Sequence, residues 1–431
     1  MKEVAHLKKL SVVKSNAGVK FLTPAAFPGN HCPMHTSLSL SSNIKGMSTL
    51  VVGTAECGIY SRRVVEKSAY KDSGLHWTYI LDSNEVVFGC RQGVIETIRQ
   101  MDEEGAKAIM LILTCVPEVI GEDIEGIVYE IQPEVKAKLC FVTMGHFKCN
   151  SHPSGFWKTL EALGALMTPT HQSPKTINVL GRSPEEKHIP MPSILVQLIK
   201  QGFTLRMLGP KSSMEDFLAA SDATVNLVVS PYMNPLAERM KKELDIPLFS
   251  LHDCYSVSDI DHILQQLAEY LDIDWGDAFA VEREKLQQGE AQAKQILNQV
   301  VYTNTPRSFL PPLPLAFYLE QFGMTACLLH IEEFYPDDRR WAKKLIEKNM
   351  NPLLCHMVND KEDTKLIEKL SPDLCFGEMK DSSGEVAELS HLYELYGQLG
   401  YERSADLLTR ILQARLKSLD RKEAQNGNVS L

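Results

Sequence analysis

Short apolar runs alternate along the chain with longer segments in which apolar residues recur at helical spacing. Residues 106–114 (AKAIMLILT) form one such run, whose continuous apolar character is typical of a parallel strand buried on both faces. Residues 118–129 follow with four apolar positions spaced as on one face of a helix. A strand followed by a helix is the repeating unit of an α/β fold.

The same alternation recurs after residue 165. Strands are predicted at 176–182, 204–209, 223–230 and 246–251, with helices at 192–201, 213–220, 234–244 and 257–271. After a long charged helix at 277–298, further strands are predicted at 325–331, 351–358 and 373–378, and helices at 337–348 and 362–370. The tail, 387–419, predicts two helices with a turn at Gly400. We therefore predict an α/β protein of three Rossmann-like doubly wound domains with parallel sheets, spanning residues 1–165, 166–298 and 299–431.

Three cysteines, Cys32, Cys57 and Cys115, lie in glycine- or proline-flanked turns of the first 115 residues. Their separations are too long for a zinc finger or a ferredoxin loop, so a site made from them must be assembled by the fold. Cys115 directly follows the predicted strand at 106–114, and Cys57 follows an apolar run that ends at Gly53. Ligands bind at the carboxyl ends of strands in an open α/β sheet, and the amino end of the next helix favours a metal-bound thiolate. The pattern indicates an iron-sulfur cluster.

Several segments, most of them around these cysteines, carry a family resemblance. They are 57–62 (CGIYSR), 85–89 (EVVFG), 114–123 (TCVPEVIGED), 145–147 (GHF) with 155–156, 225–230 (VNLVVS) and 372–378 (PDLCFGE). In these segments the chain resembles the component 1 family of nitrogenase and nitrogenase-like oxidoreductases. The resemblance covers nearly the whole chain and is strongest over residues 28–157.

The resemblance implies a cofactor, partners and an activity. The cofactor would be an iron-sulfur cluster, 4Fe-4S or P-cluster-like, held by Cys32, Cys57 and Cys115. Electrons would come from an ATP-dependent P-loop iron-sulfur reductase protein, and the chain would form a homodimer or pair with a second component 1 type subunit. It would act as a subunit of a nitrogenase-like reductase in an anaerobic setting. Substrates in the family include tetrapyrroles, organosulfur compounds and dinitrogen.

One departure from the family changes the expected substrate. The cysteine that anchors the iron-molybdenum cofactor aligns with Ser230, and a serine hydroxyl is a poor ligand for a soft metal. Cys254, after the next strand, either replaces that anchor or lines a pocket. We therefore expect an inter-domain cleft for an organic substrate, bordered by Ser230, Tyr232, Cys254 and Tyr255. A scaffold for assembly of a nitrogenase-type metal cofactor is the alternative function, and a non-redox binding protein is a third.

Other residues near the three cysteines have both a chemical and a structural interpretation. His31 and His35 lie on either side of Cys32. They are iron ligands, groups that tune the cluster by hydrogen bonds, or solvated loop residues. Cys90 and Cys149 are either extra ligands or packed thiols. Before Cys57 the chain lacks the histidine and second glycine of many family members and instead carries Glu56, whose charge would alter the electrostatics of a cluster.

Composition narrows the functional classes. The net charge of −10 over 431 residues, without a long basic run, argues against nucleic acid and an anionic membrane surface as partners. No apolar stretch approaches 18 residues and the amino end lacks a secretory core, so a cytoplasmic location is expected. Ten cysteines in such a chain are interpreted as reduced thiols or metal ligands. Neither GxxxxGK[ST] nor GxGxxG occurs, so no nucleotide is predicted to bind this chain.

Overall fold

A computed structural model describes residues 3–24, 32–68, 74–145, 152–171, 173–335 and 337–427. The strands within these ranges are β1 (Lys8–Lys9), β2 (Lys20–Phe21), β3 (Met47–Gly53), β4 (His76–Ile80), β5 (Ala108–Leu113), β6 (Lys138–Thr143), β7 (Ser173–Leu180), β8 (Thr204–Leu208), β9 (Ala223–Val228), β10 (Leu248–Ser250), β11 (Val301–Asn304), β12 (Thr325–His330), β13 (Leu353–His356), β14 (Leu374–Phe376) and β15 (Ala387–Leu389).

Helices occupy much of the chain between these strands. They are α1 (Pro33–Ser42), α2 (Ala55–Ser68), α3 (Glu85–Phe88), α4 (Arg91–Glu103), α5 (Cys115–Val119), α6 (Ile124–Ile131), α7 (His152–Leu163), α8 (Ser193–Lys200), α9 (Met214–Ala219), α10 (Asn234–Leu244), α11 (Val257–Leu271), α12 (Ala280–Ile296), α13 (Pro312–Glu320), α14 (Asp338–Glu347), α15 (Asp360–Leu370) and α16 (Gly400–Gly427). Among the described residues, no helix is both long and apolar enough to cross a membrane.

The strands form three sheets. The first has the order β4-β3-β5-β6, the second β10-β9-β7-β8, and the third β1-β13-β12-β11-β14-β15, with β2 also paired to β13. Every pair is parallel except β1 with β13. One compact unit, residues 29–187 and 202–250, holds the first two sheets, and the other, residues 1–28, 188–201 and 251–431, holds the third. The predicted α/β class with three parallel sheets is confirmed, whereas the domain boundaries stay predictions.

Helices cover both faces of the first sheet. Strands β3 and β5 are buried along their whole length. Leu50 and Leu111 contribute to a core with Ile98 of α4, whereas Val51 contributes to a second core with Leu38 of α1. Since successive side chains of a strand point to opposite faces, a continuous apolar run is what this double burial requires.

The segment after β5 corrects one sequence expectation. The single helix predicted at 118–129 is two helices, α5 and α6. Gly121 separates them with a φ of +81°, a conformation that suits glycine. Asp123 then caps α6, because its carboxylate accepts a hydrogen bond of 2.9 Å from the Gly126 N–H.

The carboxyl-terminal tail also differs from the sequence prediction. Its first part is not a helix, since residues 387–389 form β15 and pair in parallel with β14, Leu374 lying opposite Ala387. The long helix α16 begins at Gly400, where the break was expected. The two amino-terminal strands and β11 were not predicted, because short strands carry little periodicity.

His330 makes the stability of the protein depend on pH. It is buried at the end of β12, its Nδ1 accepts the Met357 N–H at 3.1 Å, and burial lowers its pKa to about 3. In the unfolded chain the imidazole has a pKa of about 6.5 and is protonated below that pH, whereas the buried imidazole of the folded protein stays neutral. The contribution of His330 to stability is therefore present above about pH 6.5 and is lost as the pH falls toward 3.

We expect the unfolding free energy to drop by about 2 kcal/mol from pH 6.5 to 5 through His330. In urea denaturation, His330→Asn should remove that part of the pH dependence; an unchanged slope would contradict it.

Candidate metal centre

Two of the three candidate cysteines lie at the point where the strand order of the first sheet reverses. Along the chain β3 is followed by β4 on one side, and β5 then lies on the other side of β3. Cys57 is in the first turn of α2, which follows β3, and Cys115 is the first residue of α5, which follows β5. In open α/β sheets, ligands bind in the crevice outside the carboxyl ends of the strands at this switch point.

The third cysteine reaches the same place from the preceding helix. Cys32 is the residue before α1, and α1 packs against α2 and β3. Burial raises the pKa of the Cys32 thiol, and the sulfurs of Cys115 and Cys57 add to this rise, while the backbone N–H groups of Met34 and His35 oppose it. Cys32 and Cys57 both pack against the core that contains Leu38 and Val51.

The sulfur of Cys57 is closely surrounded by polar groups and backbone. The Thr54 hydroxyl donates to Cys57 Sγ over 3.7 Å, and Thr114 Oγ1 lies 3.6 Å from the same sulfur. Thr114 in turn donates its proton to the Val52 carbonyl at 2.8 Å. Gly53 has no room for a side chain, since a Cβ there would lie 2.3 Å from Thr114 Oγ1 and 3.0 Å from Cys57 Sγ.

Gly53→Ala is therefore expected to disturb the site. The added methyl group must displace the Thr114 side chain and push on Cys57, so we expect a loss of about 1–3 kcal/mol in unfolding free energy and reduced iron content. Gly58→Ala in α2 is the control, because its nearest neighbour, Thr78 Cγ2, would be 3.5 Å away. Urea denaturation and iron analysis would check this, and equal behaviour of the two variants would contradict it.

Of the two further candidate ligands, Cys90 is less suited to binding metal. Cys90 is only 1% exposed, its backbone N–H donates to Glu122 Oε2 at 2.7 Å, and burial together with Glu122 raises its thiol pKa to about 12. Cys90 is thus a core thiol. Cys149 lies outside the described residues. None of the described cysteines forms a disulfide.

Of the two histidines beside Cys32, His35 is among the described residues. The imidazole of His35 lies edge-on to Tyr60, with ring centroids 5.6 Å apart. This contact places His35 between α1 and α2. His31 lies outside the described residues.

The donor set at this edge fits a cluster better than a single metal ion. Among the residues that the structure describes, no three His, Cys, Asp or Glu side chains are arranged to hold one metal ion. Ligands of a cluster bind different irons and need not converge on one point. Sulfur donors at a switch point, with a hydroxyl donating to one of them, are the chemistry that iron-sulfur clusters use.

Exposed apolar side chains surround the same edge of the sheet. Their exposure was not predicted from the sequence. Phe88 is 85% exposed and Val87 71% in α3, Val119 is 64% exposed in α5, and Ile59 is 59% exposed in α2. Each lies in a helix that follows the carboxyl end of a strand of the first sheet. Apolar groups clustered in this way are typical of a surface that another chain covers.

Two of the four predicted substrate residues lie at the switch point of the second sheet. Its strand order reverses between β7 and β9, and Ser230 follows β9. Gly181, after β7, approaches so closely that a Cβ there would be 2.4 Å from Ser230 Cβ. Ser230 itself is buried, and the Tyr232 ring packs 5.4 Å from that of Phe156.

The other two predicted substrate residues lie in the unit that holds the third sheet. Cys254 lines an apolar pocket whose rim includes Phe279 and Glu402. Burial raises the pKa of the Cys254 thiol to about 12, so it is protonated near neutral pH. Tyr255 is buried, stacks on Tyr318 at 5.5 Å between ring centroids, and has a guanidinium 4.1 Å above its ring. The assignment of these four residues to one substrate cleft stays a prediction.

Comparison with known proteins places this architecture in a family. The family model for nitrogenase component 1 type oxidoreductases matches residues 32–415. The chain belongs to this family. Members of the component 1 family bind iron-sulfur clusters, work with a partner reductase component and form multimers. The resemblance seen in the sequence is thereby confirmed.

Individual relatives in the component 1 family are distant. One subunit of the light-independent protochlorophyllide reductase of Picosynechococcus sp. is 25% identical over 186 residues, which are 39% of this chain and only 36% of that protein. The solved structure of nitrogenase Cp1 at pH 6.5 has a TM-score of 0.64 at 15% identity and covers 93% of this chain and 95% of its own. Nitrogenase Cp1 at pH 5 gives 0.57 at 17% identity, covering 96% and 94%. At these identities the structural likeness shows the fold.

Proposed function

We propose that this chain is a subunit of a nitrogenase-like reductase in which Cys32, Cys57 and Cys115 hold an iron-sulfur cluster. The observation that carries the proposal is the position of these cysteines: Cys57 and Cys115 follow the two strands that flank the switch point, and Cys32 packs against the same core as Cys57. A bound cluster supplies one-electron transfer. The protein positions its sulfur ligands, and the surrounding apolar groups limit access of water.

The electron donor proposed for this chain is an ATP-dependent P-loop iron-sulfur reductase protein. The chain has no phosphate-binding loop motif of its own, so ATP hydrolysis would take place on the donor. The electrons would pass to an organic substrate beside Ser230 and Tyr232, at the switch point of the second sheet. A tetrapyrrole is the substrate class we favour, because one relative is named for reducing protochlorophyllide.

A second chain is part of the proposal. Three cysteines are one ligand short of the four usual for a 4Fe-4S cluster. Since the apolar side chains exposed around these cysteines would favour a covering protein, we propose that a second copy, or a second component 1 type subunit, covers this edge. The interface would include the segments around Cys32 and Cys57.

Anaerobic purification followed by metal analysis and an activity assay tests the proposal. Iron and acid-labile sulfide should be present without stoichiometric molybdenum or vanadium, because Ser230 is a hard ligand where a soft thiolate would be needed. Reduction of a tetrapyrrole such as protochlorophyllide should then require the donor protein and ATP. Protein without iron would refute the cluster. Iron-loaded protein that reduces no tetrapyrrole, but passes a cluster to an acceptor protein, would favour the scaffold function instead.

A further inference from the structure

An apolar pocket lies within the unit that holds the third sheet. Its walls come from the first turns of α8 and α16, from one face of α11, from the segment after β10 and from Phe279. Ile260, Ile263 and Leu264 share that face of α11, because residues three and four apart lie on the same side of a helix. The pocket encloses about 320 Å³, counted to its open mouth, which is near the lower limit of ligand sites and suits a small molecule.

Glu402 is the charged residue of this lining. Among the described residues that line the pocket there is no Lys, Arg, His or Asp. The Glu402 Oε2 atom is buried and accepts no hydrogen bond from the part of the chain that the structure describes. A buried acceptor without a donor is unfavourable, and a charged one more so. A ligand that brings a hydrogen-bond donor into the pocket would remove that cost.

Two aromatic rings of the wall, Phe279 and Tyr401, are held in place by their neighbours. Their centroids lie 6.2 Å apart, and Trp275 lies edge-on to Phe279 with centroids 5.5 Å apart. The Tyr401 hydroxyl donates to Asp261 Oδ1 at 2.6 Å, and Arg283 donates to both oxygens of the same carboxylate. Aromatic faces attract cations. Fixed rings beside a carboxylate therefore favour a positively charged ligand over a neutral one.

We propose that this pocket binds a small organic ammonium ion, whose aliphatic part contacts the apolar wall and whose N–H group donates to Glu402 Oε2. This inference does not depend on the iron-sulfur cluster, because the pocket and the three candidate cysteines belong to different units. It also differs from the ordinary role of an acidic residue in the first turn of a helix. That role is to stabilise the helix dipole, and it needs no ligand.

The first experiment compares three probes that share one carbon skeleton: isopentylamine, isopentanol and isovalerate. Binding to the full chain is measured by saturation-transfer nuclear magnetic resonance near neutral pH, where the amine is protonated. The amine should bind about fivefold more tightly than the alcohol, because a charged donor strengthens the hydrogen bond to the carboxylate. Isovalerate should not bind, since its carboxylate would face that of Glu402. Equal binding of the amine and the alcohol, or no binding of the amine, would overturn the inference.

A pair of charge-removing variants tests the role of Glu402. Glu402→Gln keeps the size of the side chain and removes its charge, so the preference for the amine over the alcohol should disappear. Glu282→Gln is the matched control, because Glu282 also lies in the first turn of a helix, α12, but does not line the pocket. This control should keep the preference. Loss in both variants, or in neither, would overturn the inference.

A second pair of variants tests the location of the probe. Ile263→Phe adds a ring to the wall and should weaken binding of the amine and the alcohol by about tenfold or more, because the ring occupies the space of the ligand. Ile199→Phe on α8 is the control, since Ile199 is 50% exposed and lies outside the lining. Folded Ile263→Phe protein that binds the amine as the wild type does would overturn the inference. If this variant does not fold by circular dichroism, the glutamine variants decide alone.

Discussion

Protein in which Cys57 or Cys115 is replaced by serine is expected to lose most of its iron. Serine is close to cysteine in size, but its hydroxyl is protonated near neutral pH and is a hard ligand, whereas iron-sulfur clusters are held by soft thiolates. Both sulfurs lie at the switch point of the first sheet, so each variant removes a donor without removing a core side chain. Iron and acid-labile sulfide per chain, measured after anaerobic purification, are the readout.

Cys90→Ser is the matched control for these variants. Cys90 directly precedes α4 and is buried, and its contact with Glu122 is made by its backbone N–H, which serine keeps. This variant should keep the iron of the wild-type protein. The cluster assignment fails if Cys57→Ser and Cys115→Ser both retain full iron. If Cys90→Ser loses as much as they do, the assignment of Cys90 to the core is wrong.

Phe88→Glu is expected to weaken assembly strongly. The phenylalanine is 85% exposed at the edge proposed to be covered by a second chain, and burying a carboxylate there would cost about 2 kcal/mol or more, roughly 30-fold in the dissociation constant. Tyr129→Glu is the control, because this tyrosine is also 85% exposed but lies near the end of α6, away from that edge. Light scattering across a dilution series measures the effect. A stable monomer with an intact cluster in the wild-type protein, or equal assembly of the two variants, would contradict the proposed interface.

Much of the secondary structure could be predicted from local pattern. Helices α10 and α11 have the bounds expected at 234–244 and 257–271, because both carry apolar residues at regular helical spacing. Ser256 also caps α11, since its hydroxyl accepts a hydrogen bond from the Asp259 N–H. Strand β5 was likewise expected from its unbroken apolar run. Short strands such as 8–9 and 387–389 were missed, since they exist only through pairing with strands that are distant in sequence.

The sequence by itself determined the α/β class, the family resemblance and the placement of Cys57 and Cys115 next to strand ends. These follow from residues that are close together in the chain, where spacing reports local structure. Only the tertiary structure decided that Cys32 packs against the same core as Cys57, that Gly53 leaves room for the Cys57 sulfur, and that Phe88 is exposed. The physical reason is that strand order and helix packing determine which distant residues meet, and neither is encoded in the spacing of neighbouring residues.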